Sequence, residues 1–319
     1  MSEPAPAVSV IVPAWGVGDY LGEALSSLHH QTFTDWEAIV IDDGDTDAVA
    51  AAFVPFAGDP RMRLLQTDNA GLATARNRGI AAARAERIAL LDGDDRYTPD
   101  YLQEMVERLD SDAGLGFVTC DARLFGAPAF EGKLFSQLEP QHEPLTLERV
   151  IRRQFKVFGA SIMRCAALAD VRGYDQSLRS AEDLDLWIRL LETGWSGALL
   201  ALPLYEYRRR GDSLSASSLA LARWVRQVYA NAAERLQGRP EGAAAREMLG
   251  KAERDLRMEE GIAAILEGRR AEGLRMLRDS NAASASVKWR LAMTGLRLFP
   301  PLAGPVMRLY IRRQPLAGA

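Results

Sequence analysis

Residues 87–95 read Arg-Ile-Ala-Leu-Leu-Asp-Gly-Asp-Asp, and the fold turns on where that stretch divides. An apolar run stopped by a turn signal reads as a buried strand. The C-terminal end of such a strand is where open α/β sheets bind ligands. Asp92, Asp94 and Asp95 crowd three carboxylates into four residues, and their mutual repulsion makes the cluster costly at a sheet edge. A divalent cation, Mn²⁺ or Mg²⁺, relieves it, because hard cations favour carboxylate oxygens and are commonly shared with substrate phosphates. An acidic turn is the plain alternative, since Asp-Gly is ordinary turn chemistry. The tetrad alone does not separate the two.

Upstream, VSVIV (8–12) is an uncharged, β-branched run of the kind buried on both faces of a parallel sheet. Residues 19–30 place Leu21, Ala24, Leu25 and Leu28 at helical spacing. Strands are expected at 38–41, 63–66 and 87–91, with helices at 45–53 and 72–85. This alternation signals an α/β fold whose parallel sheet carries helices on both faces. Downstream, a helix with Pro99 near its first turn is expected over 99–110, and a strand over 116–120. Residues 125–144 lose periodicity and read as a surface excursion; order resumes at 145–150 and 160–168. In 182–191, Leu184, Trp187, Ile188 and Leu191 form an apolar helical stripe, with Asp185 and Arg189 as an i, i+4 pair on the outer face. Beyond about 218 only helical patterns remain, at 219–236, 243–266 and 270–277. The expected division is a domain over 1–218 and a helical region over 219–319, basic and amphipathic from about 285.

At 319 residues and 26% charged side chains, the composition is that of an ordinary globular protein. Cys120 and Cys165 lack metal spacing and read as reduced thiols of a cytoplasmic protein. No signal pattern opens the chain, and no apolar run is long enough to span a bilayer. Charge is uneven: residues 284–319 hold Lys288, Arg290, Arg297, Arg308, Arg312 and Arg313 with no acidic residue. Against a net charge of −4, that leaves −10 on the preceding 283 residues, which argues against nucleic acid as a partner of the body. Leu302, Val306, Leu309 and Tyr310 share a helical face in the tail. Basic residues beside such a face suit anionic headgroups, so peripheral contact with the inner face of a membrane is one expectation and packing on the protein body the other.

Five motifs in order, VSVIVPAW (8–15), IVIDDG (39–44), NAGLATARNRG (69–79), LLDGDD (90–95) and AEDLDLWIRL (181–190), resemble the family 2 glycosyltransferases. The resemblance covers roughly the first 215 residues. It implies a GT-A-like fold with a mostly parallel mixed sheet, a nucleotide-diphosphate sugar as donor, and a glycan or lipid-linked glycan as acceptor.

Residue roles follow from that resemblance. Pro13 and Trp15 stand where the family has Pro-x-Tyr-Asn, so Trp15 would stack on the nucleobase; a core tryptophan is the alternative. Gly16 replaces the usual Asn, and Asp45 the usual Ser. Asp43 would meet the base edge, where a carboxylate accepting from a ring N–H favours uracil, making a UDP-sugar the expected donor. Arg76 would contact phosphate or base, whereas Arg78 and Arg84 read as surface residues. Asp94 would hold the metal against the diphosphate and Asp92 the ribose hydroxyls, leaving Asp95 as a supporting or donor-sugar contact. Asp183 would be the general base for an inverting transfer, mounted at a helix start whose cap spacing begins at Ser180. Arg210 replaces a His that relatives use at the metal or diphosphate; it cannot ligate a metal but can neutralise phosphate. Two other classes compete: a catalytically silent sugar-nucleotide or glycan-binding module, and a sugar nucleotidyltransferase. The loop after the first strand lacks the basic residue that the latter requires.

Overall fold

Val8–Ala14 (β1) is buried at all seven positions, as its uncharged sequence demands. The structure, a computed structural model, describes residues 4–139, 141–210, 218–280, 296, 301 and 303–307. β1 lies between β2 (Trp36–Asp43) and β4 (Arg87–Leu90), parallel to both, and β3 (Met62–Thr67) extends the parallel half beyond β2. Helices α1 (Gly18–His29), α2 (Thr46–Phe53) and α3 (Leu72–Ala82) follow β1, β2 and β3 in turn. Small residues let α3 approach closely: a Cβ on Gly79 would sit 2.3 Å from Ile11 Cγ2.

The other half of the sheet is mixed. β5 (Arg96–Tyr97), β6 (Leu115–Phe125), β7 (Ser161–Arg164) and β8 (Ser196–Arg208) complete eight strands in the order β3-β2-β1-β4-β7-β6-β8-β5. β7 runs antiparallel to β4 and β6, whereas β8 runs parallel to β6. β8 went unread in the sequence because Pro203, which donates no ladder hydrogen bond, argues against a strand. Pro203 lies opposite Asp121 where the β6–β8 register shifts, a position that tolerates it.

Local expectations need four corrections. α4 (Tyr101–Asp110) starts two residues after Pro99, whose carbonyl accepts from Thr32 N–H. α3 ends at Ala82, because the next residues turn away: Arg84 N–H donates to Glu37 and Ala85 N–H to Ser9 Oγ. Arg84 is therefore not a plain surface residue, since its Nε also reaches Glu37 Oε2 at 2.9 Å. Burial pushes the Glu37 carboxyl up, but the bonds from Ser9 and Arg84 and the charge of Arg63 outweigh it and hold the group below its usual range. Finally, Asp185 and Arg189 of α7 (Glu182–Glu192) pair at 2.6 Å on the buried side, with Asp185 1% exposed. Arg189 also donates to the Val171 and Gly173 carbonyls, so the pair pins the preceding loop to the helix.

Short helices α5 (Leu147–Ile151) and α6 (Cys165–Asp170) flank β7. Cys120 is buried and Cys165 half-buried, and both are free thiols.

The chain separates into two compact units, Met1–Arg210 and Gly211–Ala319. In the second, α8 (Ser218–Arg235), α9 (Gly242–Leu266) and α10 (Arg270–Ser280) occupy the three stretches read as helical. Ile262, Ile265 and Leu277 form a buried cluster with Leu296, Ala303 and Met307, so part of the tail's apolar surface is spent inside this unit. Val306 is 41% exposed. Leu302, Leu309, Tyr310 and the six basic residues of the tail lie outside the described residues. Among the described residues, no helix is long and apolar enough to cross a membrane.

Candidate active site

The expected donor-side residues gather at the carboxyl ends of β1, β2 and β4, as the topology of a parallel sheet requires. Pro13 and Ala14 lie opposite Ile41 and Asp42 in register. Trp15, the next residue, is 53% exposed, which rules out the core-tryptophan alternative and leaves an indole face open at the strand end. The two departures at Gly16 and Asp45 meet each other: Gly16 N–H donates to Asp45 Oδ2 at 3.0 Å. Asp45 sits at the cap position of α2 yet makes no side-chain cap there, so it ties the β1 loop to the β2 loop instead.

Asp43 is buried, and its oxygens accept from Ala70 N–H at 3.0 Å and Gly71 N–H at 2.9 Å. Arg78 Nη1, read as a surface group, lies 3.3 Å from the same carboxylate and donates to the Asp68 carbonyl. Asp43 thus holds the loop that starts α3, and any contact with a base would use its remaining lone pairs.

The tetrad crosses the end of β1. A Cβ on Gly93 would lie 2.9 Å from Val17 Cγ2 and 3.0 Å from the Pro13 carbonyl oxygen, so only glycine fits there. Its three carboxylates take three different environments. Asp92 is half-exposed, its Oδ1 accepting from Arg76 Nη2 at 2.8 Å. Asp94 pairs with Arg210, Nε to Oδ2 at 3.1 Å, while its carbonyl accepts from Arg208 Nε at 2.7 Å. Asp95 is buried and accepts from Tyr205 Oη at 2.9 Å and Arg208 N–H at 2.7 Å. Asp95 is accordingly an internal anchor for β8, 2% exposed and with each oxygen hydrogen-bonded to that strand. Burial, followed by the charge of Asp94, raises its carboxyl well above the usual range.

Burial, then the charge of Asp92, pushes the Asp94 carboxyl up to about 6 against the opposing pull of Arg210 and Arg208. A carboxylate whose anion is disfavoured in this way is one that a cation would stabilise. Among the described residues, no three His, Cys, Asp or Glu side chains are grouped to hold an ion by themselves. The residues present therefore suit a divalent ion that would arrive with a diphosphate and meet Asp94, and do not suit a fully protein-bound metal.

Arg76, expected to touch phosphate or base, is 5% exposed and spends its terminal nitrogens on the protein. Nη2 meets Asp92 and Nη1 meets Glu182 Oε1, each at 2.8 Å, above the Tyr174 ring. A buried guanidinium requires carboxylate partners, and these two come from opposite parts of the site: Glu182 opens α7, one residue before Asp183. Asn77, quoted above only as part of a motif, clamps the Tyr174 backbone by donating to its carbonyl and accepting from its N–H.

The cap of α7 is Ala181, held left-handed at φ 57, and no side chain caps the helix; the cap spacing from Ser180 is not used. Left-handed alanine costs about 1 kcal/mol, a strain typical of functional turns. Asp183 is half-buried, with Oδ1 accepting from Leu184 N–H at 2.7 Å. The charge of Asp183 is felt at Lys156, which no sequence motif marks. Burial and Arg153 pull the Lys156 amine down to about 8, against the support of Glu139, 3.1 Å away, and Asp183. Lys156 belongs to the aperiodic stretch before β7, which offered no signal. Phe158 of that stretch packs against Phe135 of the excursion over 125–144 at 4.7 Å and against Tyr207 of β8 at 5.4 Å.

Similarity to known proteins converges on the same frame. Succinoglycan biosynthesis protein ExoO of Rhizobium meliloti is 34% identical over 220 residues, covering 66% of this chain and 63% of ExoO. The chain spans 61–63% of the length of several curated relatives that it matches. S. aureus TarS 1-349 in complex with UDP-GlcNAc aligns with a TM-score of 0.64 at 19% identity, over 87% of this chain and 81% of that one. Mannosyltransferase PcManGT from Pyrobaculum calidifontis, in complex with GDP-Man and Mn²⁺, aligns with a TM-score of 0.60 at 20% identity, over 97% and 85%. At those identities the likeness is one of fold, and the fold is GT-A-like. The model of glycosyl transferase family 2 matches residues 9–172, just over half of the chain and ending before Asp183, and by that match the chain belongs to glycosyl transferase family 2.

Proposed function

We propose that the chain transfers a sugar from a nucleotide-diphosphate donor, UDP-linked, to a hydroxyl of a glycan acceptor, with inversion at the anomeric carbon. The observation that carries this reading is the Arg76 bridge, which joins Asp92 of the donor tetrad to Glu182 beside Asp183. Asp183 takes the acceptor proton as the hydroxyl oxygen attacks the anomeric carbon. The bond to the diphosphate oxygen breaks with its electron pair leaving on the nucleotide, and one in-line displacement inverts the centre. Trp15 and Pro13 present a face to the base, Asp43 lies at the base edge, and Asp92 meets the ribose. Arg210 serves the diphosphate. Asp94 would hold a divalent ion, which would supply charge neutralisation for the leaving diphosphate.

The names of the comparison proteins support the class: TarS is seen with UDP-GlcNAc, PcManGT with GDP-Man and Mn²⁺, and ExoO is a succinoglycan biosynthesis protein. We assign the chemistry to residues 1–218 and the substrate to a growing cell-surface polysaccharide. The deciding measurement is UDP binding with and without Mn²⁺. Asp94→Asn is expected to abolish the gain that Mn²⁺ gives the native chain and to leave metal-free UDP binding within about twofold. An intact Mn²⁺ gain in that variant removes Asp94 from the metal.

The basic tail extends the reading to a lipid-linked acceptor at the inner face of a membrane. Each basic residue near an anionic surface contributes about 1 kcal/mol. Replacing Arg308, Arg312 and Arg313 together with glutamine is therefore expected to weaken co-sedimentation with phosphatidylserine vesicles by about two orders of magnitude. Unchanged co-sedimentation assigns those arginines to solvent.

A further inference from the structure

Arg210 already occupies the carboxylate oxygen that a metal–diphosphate would approach. Its Nε lies 3.1 Å from Asp94 Oδ2, its Nη1 lies 3.3 Å from the Gly16 carbonyl oxygen, and its guanidinium carbon sits 5.0 Å from the centre of the Tyr20 ring. Arg208 uses the same ring, at 4.6 Å. Arg208 is fixed from below by Asp95 and the Asp94 carbonyl and from the side by Glu23 at 2.8 Å. The root of Arg210 is thus anchored to the tetrad, and its side chain reaches the Asp94 carboxylate.

We propose that Arg210 is the resident cation of Asp94, and that a divalent ion and a nucleoside diphosphate enter this site cooperatively by moving Arg210 from carboxylate to phosphate. The inference rests on the reading above that Asp94 meets the metal. A guanidinium and a divalent ion on one carboxylate oxygen repel each other strongly at such distances. An ion arriving alone must break the Arg210–Asp94 pair with nothing in exchange. An ion arriving with a diphosphate brings the anion that a guanidinium binds best. The metal and the nucleotide then help each other beyond their own direct contact, and the coupling is reciprocal. A neutral histidine at this position would lack the effect, since it can ligate the ion that Arg210 excludes.

The test is Mn²⁺ binding followed by the loss of free-ion electron paramagnetic resonance signal, on the full chain at fixed ionic strength, with and without UDP or GDP. Thermal melts confirm that each variant is folded. Arg210→Ala and Arg210→Gln are expected to bind Mn²⁺ alone roughly fivefold more tightly than the native chain, the upper range for a single ion pair that water still reaches. Both should lose a similar factor of nucleotide enhancement, while Arg210→Lys keeps most of it. If both neutral variants match the native Mn²⁺ affinity while Asp94→Asn abolishes metal-supported nucleotide binding, the resident-cation proposal fails and the metal assignment stands. If Asp94→Asn binds Mn²⁺ and nucleotide like the native chain, the underlying assignment fails, and the proposal with it.

Discussion

Asp183→Asn is expected to lower turnover by roughly 10²–10⁴-fold, the range that general acid–base catalysis contributes, while UDP affinity stays within about twofold. The asymmetry follows from position. Asp183 lies in the first turn of α7, half-buried, and its Oδ1 accepts from Leu184 N–H, its own neighbour. An amide of the same shape keeps that acceptor and the helix start but takes no proton. The proposed donor residues lie on other elements, the ends of β1, β2 and β4, so nucleotide binding has no direct stake in the substitution. Isothermal titration with UDP beside a transfer assay checks both halves. Near-native turnover would remove Asp183 from the chemistry, and a parallel loss of UDP affinity would make it part of the donor site.

The second large effect concerns the bridge behind the site. Arg76→Met is expected to destabilise the fold by about 3–5 kcal/mol, because it leaves Glu182 as a buried charge without its partner. Asp92 is half-exposed and can rehydrate; Glu182, 7% exposed, cannot. Adding Glu182→Gln to Arg76→Met should recover a large part of the loss, and the recovery measures the coupling. The pH dependence has a defined sign. Burial already holds the Glu182 carboxyl above its ordinary 4.5, with Arg76 opposing; without Arg76 it rises further. The folded variant then binds a proton that the unfolded chain releases, so its stability falls as pH rises from 4.5 through the raised value. The penalty of Arg76→Met should accordingly be smaller near pH 5 than near pH 8, and should lose that dependence in the double variant. Denaturant unfolding at the two pH values checks it; a pH-independent penalty would mean that Glu182 is not the group left uncompensated.

How much of this was legible in advance differs between the halves of the sheet. Buried parallel strands announce themselves as uncharged β-branched runs, so β1, β2 and β4 and the carboxylates at their ends were readable from composition and spacing. β8 was not, because a half-exposed strand carrying a proline at a register shift has no such pattern. Tyr205 and Arg208 were missed for that reason, and with them the anchoring of Asp95. Lys156 sits in an aperiodic segment, where only the folded chain brings it toward Asp183.

The sequence by itself determined the α/β fold, the family, and the residue types at the strand ends, because burial periodicity and short motifs are local properties. Only the tertiary structure decided how the acidic residues divide their work. Whether a carboxylate is half-exposed like Asp92, paired like Asp94 or internally spent like Asp95 depends on Arg76, Arg210, Tyr205 and Arg208, which lie 16 to 116 positions away along the chain. A carboxylate's charge state and availability are set by what surrounds it in space, and no local stretch of sequence contains those surroundings.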